Sequence, residues 1–166
     1  MTKTFVTGVV ALCLGLAPAC GKAESGGPGG AAGGKASDGA PVKVAPVIAA
    51  YDVVREALAS DDVAAAKAAA AKLAAAAKDE APKLVALAQA TADAASIEDV
   101  RKAFGELSKG LFETIKEKPA LGEGLIAFRC PMTETYQKWV QLGRPLRNPY
   151  MGSKMLECGS KADMTP

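Results

Sequence analysis

From position 47 onward, apolar residues recur at spacings of three and four, and that rhythm predicts helices. Val47, Ile48, Tyr51, Val54 and Leu58 form a first stripe. Ser60-Asp61-Asp62 follows as a cap and two acids, placed to satisfy free N–H groups and oppose a helix dipole. A second stripe runs through Val63, Ala66, Ala70, Leu73 and Ala77, with Lys67, Lys72 and Lys78 on other faces. Pro82 suits the first turn of a third helix presenting Leu84, Leu87, Ala88 and Thr91. Ser96-Ile97-Glu98-Asp99 reads as a capping box for a fourth helix, with the strongest stripe: Ile97, Val100, Phe104, Leu107, Leu111 and Ile115. Pro119 and Gly122 end it. Four helices with short connections predict an all-α fold, an up-and-down four-helix bundle, with an irregular Cys/Met-rich C-terminal segment packed against it. Capping and phase place the Ala-Lys stretch at 63–78 in the bundle rather than on a membrane surface.

Ahead of the helices the pattern is different. Lys3 gives a short positive start, and Phe5 to Leu16 is an apolar run too short to span a hydrocarbon core of about 30 Å. Leu16-Ala17-Pro18-Ala19-Cys20 then has the form of a lipobox, with small residues before the cysteine. Residues 1–19 are therefore expected to be a lipoprotein signal peptide, with Cys20 lipidated and anchored in a membrane through several acyl chains. Secretion without lipid would instead leave Cys20 a plain thiol. No aspartate follows Cys20, which points to the outer rather than the inner membrane, with the domain facing the periplasm. Residues 21–42 are a Gly/Ala-rich tether with too few large apolar groups to fold, a coil of roughly 25 Å r.m.s. span. The folded domain is expected over 43–166.

Composition narrows the chemistry. Charge is almost balanced, at 20 basic and 18 acidic residues without a basic block, so nucleic-acid binding has no electrostatic support. There is no histidine, which excludes Ser-His-Asp and Cys-His catalysis, imidazole proton shuttles and histidine-ligated zinc. No nucleophile elbow, paired carboxylates, phosphate loop or Cys-X-X-Cys is visible, and an enzyme is not expected.

Sulfur is concentrated in one place. Residues 43–118 contain no cysteine, methionine or tryptophan, whereas 125–166 contain Cys130, Cys158, Met132, Met151, Met155, Met164 and the only tryptophan, Trp139. Thiolate and thioether sulfur select monovalent copper and silver over hard cations. In extended chain Cys130 and Met132 would share a face, and a helix over 151–158 would align Met151, Met155 and Cys158 at i, i+4 and i+7. Together these make a candidate site of up to five sulfurs for copper(I) or silver(I). The same spacing also describes a buried face, and Cys130 and Cys158 could instead close a disulfide worth about 3 kcal/mol. Spacing alone leans toward that disulfide, and with it toward an interaction module of the cell envelope that holds no metal. Trp139 and Tyr150 read as core aromatics, and Asn148-Pro149 with Gly152 as a turn.

The order Cys130-Pro131-Met132, Trp139-Val140-Gln141, Asn148-Pro149-Tyr150-Met151-Gly152-Ser153-Lys154-Met155-Leu156 and Cys158-Gly159 resembles a poorly characterised family of exported bacterial domains. Such domains occur alone and fused to periplasmic adaptor subunits of heavy-metal efflux pumps of the resistance-nodulation-division type. Tyr51, Ala57-Leu58, Asp61-Asp62, Arg101, Phe104 and Leu107-Ser108 look similar too, so the resemblance covers roughly 45–160. It implies a periplasmic role in buffering copper or silver or passing it toward export, with an efflux adaptor as partner. The Cys130-Pro131-Met132 triplet also looks like that of small heavy-metal-binding domains on the same pumps. Many relatives carry histidine where this chain has none, which leaves sulfur, with Glu134 or Glu157 as oxygen donors. With the resemblance added, metal binding becomes the leading expectation.

Overall fold

The computed structural model describes residues 44–143 and 145–166. The expected signal peptide, Cys20 and the tether to 42 lie outside the described residues. Four helices appear where the stripes place them: α1 Pro46–Ala59, α2 Val63–Glu80, α3 Lys83–Asp93 and α4 Ile97–Glu117. Among the described residues no helix is long and apolar enough to cross a membrane.

Local chemistry sets the boundaries. Pro46 opens α1, where a missing N–H costs nothing. Ser96 accepts from the Asp99 N–H while the Asp99 carboxylate accepts from the Ser96 N–H, the reciprocal box the sequence predicts. The α1–α2 link differs from expectation. Asp62, not Ser60, caps α2, its Oδ1 accepting from Ala65 N at 2.9 Å. Asp61 stands in the left-handed region at φ 59°, which turns its carboxylate away from the helix and toward other partners.

Consecutive helices pack on one another, forming a helical bundle. The interior of α2 is almost all alanine: Ala66, Ala69, Ala70, Ala74 and Ala77 surround the single Leu73. Such small side chains stabilise by allowing close backbone approach rather than by large apolar area. Helix α4 is the central element, with Val100, Phe104, Leu107, Leu111 and Phe112 fully buried. Gly110 lets α3 come close, since a Cβ there would stand 2.6 Å from a methyl of Leu87.

The all-α expectation is corrected beyond α4. After a 3₁₀ turn at Pro119–Gly122, strands β1 Leu125–Arg129, β2 Lys138–Leu142 and β3 Ser160–Lys161 form an antiparallel sheet in the order β2-β1-β3. The C-terminal segment is thus irregular only between and after these short strands. Ile126, Phe128, Trp139 and Val140 are β-branched or aromatic residues suited to a half-buried pleated surface. They pair in register, Phe128 opposite Trp139, with the two rings stacked at 5.7 Å. Both α1 and α4 back onto β2, so the sheet sits against the first and last helices of the bundle.

Candidate functional site

A line of five aromatic rings joins the helices to the sheet. Tyr51 of α1 stacks on Phe104 of α4 at 5.2 Å, Phe104 meets Tyr150 at 5.7 Å, Tyr150 meets Trp139 at 5.8 Å, and Trp139 covers Phe128. Such pairs add roughly 0.5–1.5 kcal/mol each beyond area burial. The Tyr51 hydroxyl is hydrogen-bonded to Ser108 Oγ at 2.6 Å inside the core, and burial, the main cause, pushes its pKa up. Trp139 and Tyr150 are core aromatics, as the sequence suggests.

Polar contacts fix the segment that follows. Asp61 accepts from the Ser153 hydroxyl, from Ser153 N at 2.9 Å, and from the Arg101 guanidinium. These partners, Ser153 first, hold its carboxyl at about 2. Arg101 also donates to Pro149 O at 3.1 Å and Leu58 O at 3.3 Å. Gly152 packs onto this pair at φ 57°, where a Cβ would collide with Asp61 and Arg101. Asn148, fully buried, organises the rest. Its Oδ1 accepts from Tyr150 N at 2.8 Å and Met151 N at 3.1 Å, and its Nδ2 donates to Cys158 O at 2.6 Å. Sequence reasoning reads Asn148 only as part of a turn, and its buried hub role is not legible there.

The two cysteines meet. Cys130 lies just past β1, fully buried, its N–H donating to Gln137 O at 2.9 Å. Cys158 lies just before β3, half-buried, its N–H donating to Met155 O at 3.0 Å. Burial, and after it the charge and hydrogen bonding of the adjacent Cys130 thiol, push the Cys158 thiol above its ordinary pKa. The β1–β3 pairing, with Arg129 opposite Ser160, puts the two cysteines at adjoining strand ends, and both are free thiols. Gly159 makes the approach possible. It faces the end of β1 with φ 148°, and a Cβ there would stand 3.0 Å from Arg129 O and 3.1 Å from Trp139 Cη2.

The methionines do not gather around that pair as expected. Residues 130–132 turn rather than extend, so Cys130 is buried while Met132 is 62% exposed, and the two do not share a face. Residues 151–158 are not an α-helix. The left-handed Gly152 breaks the run, only Gly152–Met155 is helical, and that piece is 3₁₀. The i, i+4, i+7 face is therefore lost, and Met155 stands 41% exposed on that turn. Met151, half-buried, instead shares a cleft with Met132. Glu134 lines the same cleft, and Glu157 is exposed elsewhere. Among the described residues no three Cys, Asp or Glu side chains group as a metal cage. The arrangement is two cysteines at adjoining strand ends, with Met132 and Met151 lining a separate cleft.

Fold and site together define a small helical bundle with a three-stranded sheet attached and two cysteines at the strand ends. The model of a family described as "Protein of unknown function (DUF3347)" matches residues 47–121, so this stretch is similar to that family. The matched residues span the four helices and stop before β1; every sulfur discussed above lies outside them. Neither the curated proteins nor the solved structures gave a match.

Proposed function

We propose that this chain is a lipoprotein, anchored through Cys20 and facing the periplasm, that binds copper(I) or silver(I) as an accessory chaperone or buffer for heavy-metal efflux. The observation that carries this reading is the placement of Cys130 and Cys158 at adjoining ends of the paired strands β1 and β3, with the Cys130 N–H held by Gln137 O and the Cys158 N–H by Met155 O. Two neighbouring thiolates suit a monovalent soft ion, which accepts two sulfur ligands, and the aromatic surroundings keep that bond dry. Binding releases the thiol protons, so affinity rises with pH. A binding role is proposed rather than an enzymatic one, because the sequence offers sulfur and no acid–base machinery.

That placement also fits a second reading, a disulfide-stapled interaction module without metal. Non-denaturing intact mass of the mature chain, exported and purified without reductant, separates the two. Full-thiol mass with one copper retained, lost in Cys130→Ser/Cys158→Ser, supports metal handling. A mass two hydrogens light that takes up no copper overturns it in favour of the staple. The anchor has its own test, since Cys20→Ser should abolish incorporation of labelled palmitate.

A further inference from the structure

Met132 and Met151 come from different connections, the β1–β2 turn and the segment after Asn148, yet both line one open cleft of about 530 Å³ against the first half of α4. Their backbones are placed by separate devices. Met132 follows the turn at Pro131 that buries Cys130, and the Met151 N–H is held by Asn148 Oδ1 at 3.1 Å. The cleft also carries Glu98, Glu106 and Glu134. Of its two cations, Arg101 is already engaged by Asp61 and by the carbonyls of Pro149 and Leu58. Lys102 is the other, so the carboxylates outnumber it and the field favours cations. Tyr150 forms one wall, and its ring packs on Trp139, whose Cη2 lies against Gly159 beside Cys158.

We propose that Met132 and Met151 form a second, outer site for a monovalent soft ion, which receives silver or copper(I) before it passes to Cys130 and Cys158. This rests on the reading of the cysteine pair as the inner metal site. The chemistry of the two pairs is complementary. Thioethers carry no proton to displace and cannot form a disulfide, so an exposed methionine pair stays competent in an oxidising compartment where an exposed thiol would not. They bind more weakly than thiolates, which makes the direction of transfer downhill, from the exposed pair to the buried one. Sulfur supplies the selection against sodium, magnesium and calcium, while the carboxylates only raise the local concentration of cations.

The test uses the full mature chain with carbon-13 methyl-labelled methionine, titrated with silver(I), which is diamagnetic and needs no reductant. In Cys130→Ser/Cys158→Ser, the Met132 and Met151 methyl resonances should move together and saturate at one equivalent, with Met155 and Met164 still. In the wild type the same two should move only after the thiols are filled. Met132→Leu/Met151→Leu, nearly volume-conserving, should keep its circular dichroism and the silver content of its thiols while loading at least ten-fold more slowly from a silver–methionine donor. Methyl resonances that stay still in both backgrounds, or that all four move alike, overturn the site. Moving resonances with an unchanged loading rate overturn its role as receiver. If both wild-type thiols stay fully reactive toward a maleimide in excess silver, the cysteine-pair reading fails and the transfer with it. The methyl shifts then decide the cleft alone.

Discussion

The helices and the C-terminal sheet are built on opposite principles. Within residues 44–118, α2 and α3 pack largely through alanine and a few leucines, while α1 and α4 bury Tyr51, Phe104 and Phe112. Several polar groups there serve helix ends: Asp62 at α2, Ser96 with Asp99 at α4, and Lys67 donating to Ala94 O at 2.6 Å behind α3. Residues 125–166 hold Trp139 and the sulfurs, and their polar groups serve loops: Asn148 under Cys158, and Ser153 on Asp61. The first region is a scaffold whose regularity tolerates small side chains. The second has little regular structure to spend, so single buried residues carry its geometry. At the junction, Phe104 receives the Tyr150 ring, Arg101 donates to Pro149 O and Asp61 accepts from Ser153, with Tyr51 stacked behind Phe104 and bonded to Ser108.

This contrast can be broken most severely at Trp139. Trp139→Ala should cost about 3–5 kcal/mol, seen as a lowered denaturant midpoint for the helical signal. An unchanged helical midpoint would mean that the sheet folds independently of the bundle. Asn148→Ala leaves the Cys158 carbonyl and two amides without their partner. A loss of about 2–3 kcal/mol and weaker silver binding should appear together in calorimetry. Asp61→Asn sharpens the comparison through pH. The Asp61 carboxyl lies at about 2 in the folded chain, below its ordinary 3.8. Its stabilisation is therefore complete above about pH 4 and is lost as pH falls through about 2. The variant should be less stable at pH 7 and lose less on acidification. Some acid sensitivity should persist, because Asp163 is also held at about 2, by the Thr165 hydroxyl first and then by Lys138. Ser96→Ala, confined to the scaffold, should cost about 1 kcal/mol and leave metal binding untouched. Altered metal affinity in that variant would show that the two regions are not separable.

Legibility in the sequence follows the same divide. A stripe such as Val100-Phe104-Leu107-Leu111 repeats often enough to declare a helix, and Ser96 and Asp99 declare its start. Strands β1 and β2 have five residues each and bury adjacent positions, Ala127-Phe128 and Trp139-Val140-Gln141, so no two-residue alternation announces them. The turn between them lacks the Asn-Gly or Asp-Gly signal of a tight hairpin. At the candidate site the cysteines were legible as a pair because Cys130 and Cys158 are the only two in a segment that also gathers the methionines. The grouping of the methionines was not. It depended on a helix through Gly152, and what forbids that helix is the packing of Gly152 on Asp61 and Arg101, residues 92 and 51 positions upstream of Ser153 and of Gly152 itself.

The burial of Trp139 also has an optical consequence. It is the chain's only tryptophan, fully shielded from solvent between the rings of Phe128 and Tyr150, with its Cη2 against Gly159 beside Cys158. An indole in so dry a setting emits at the blue end of its range. A heavy ion seated on the neighbouring thiols would quench that emission through spin–orbit coupling. The molecule thus carries its own lamp beside the sulfur pair, and its brightness would report occupancy without any label.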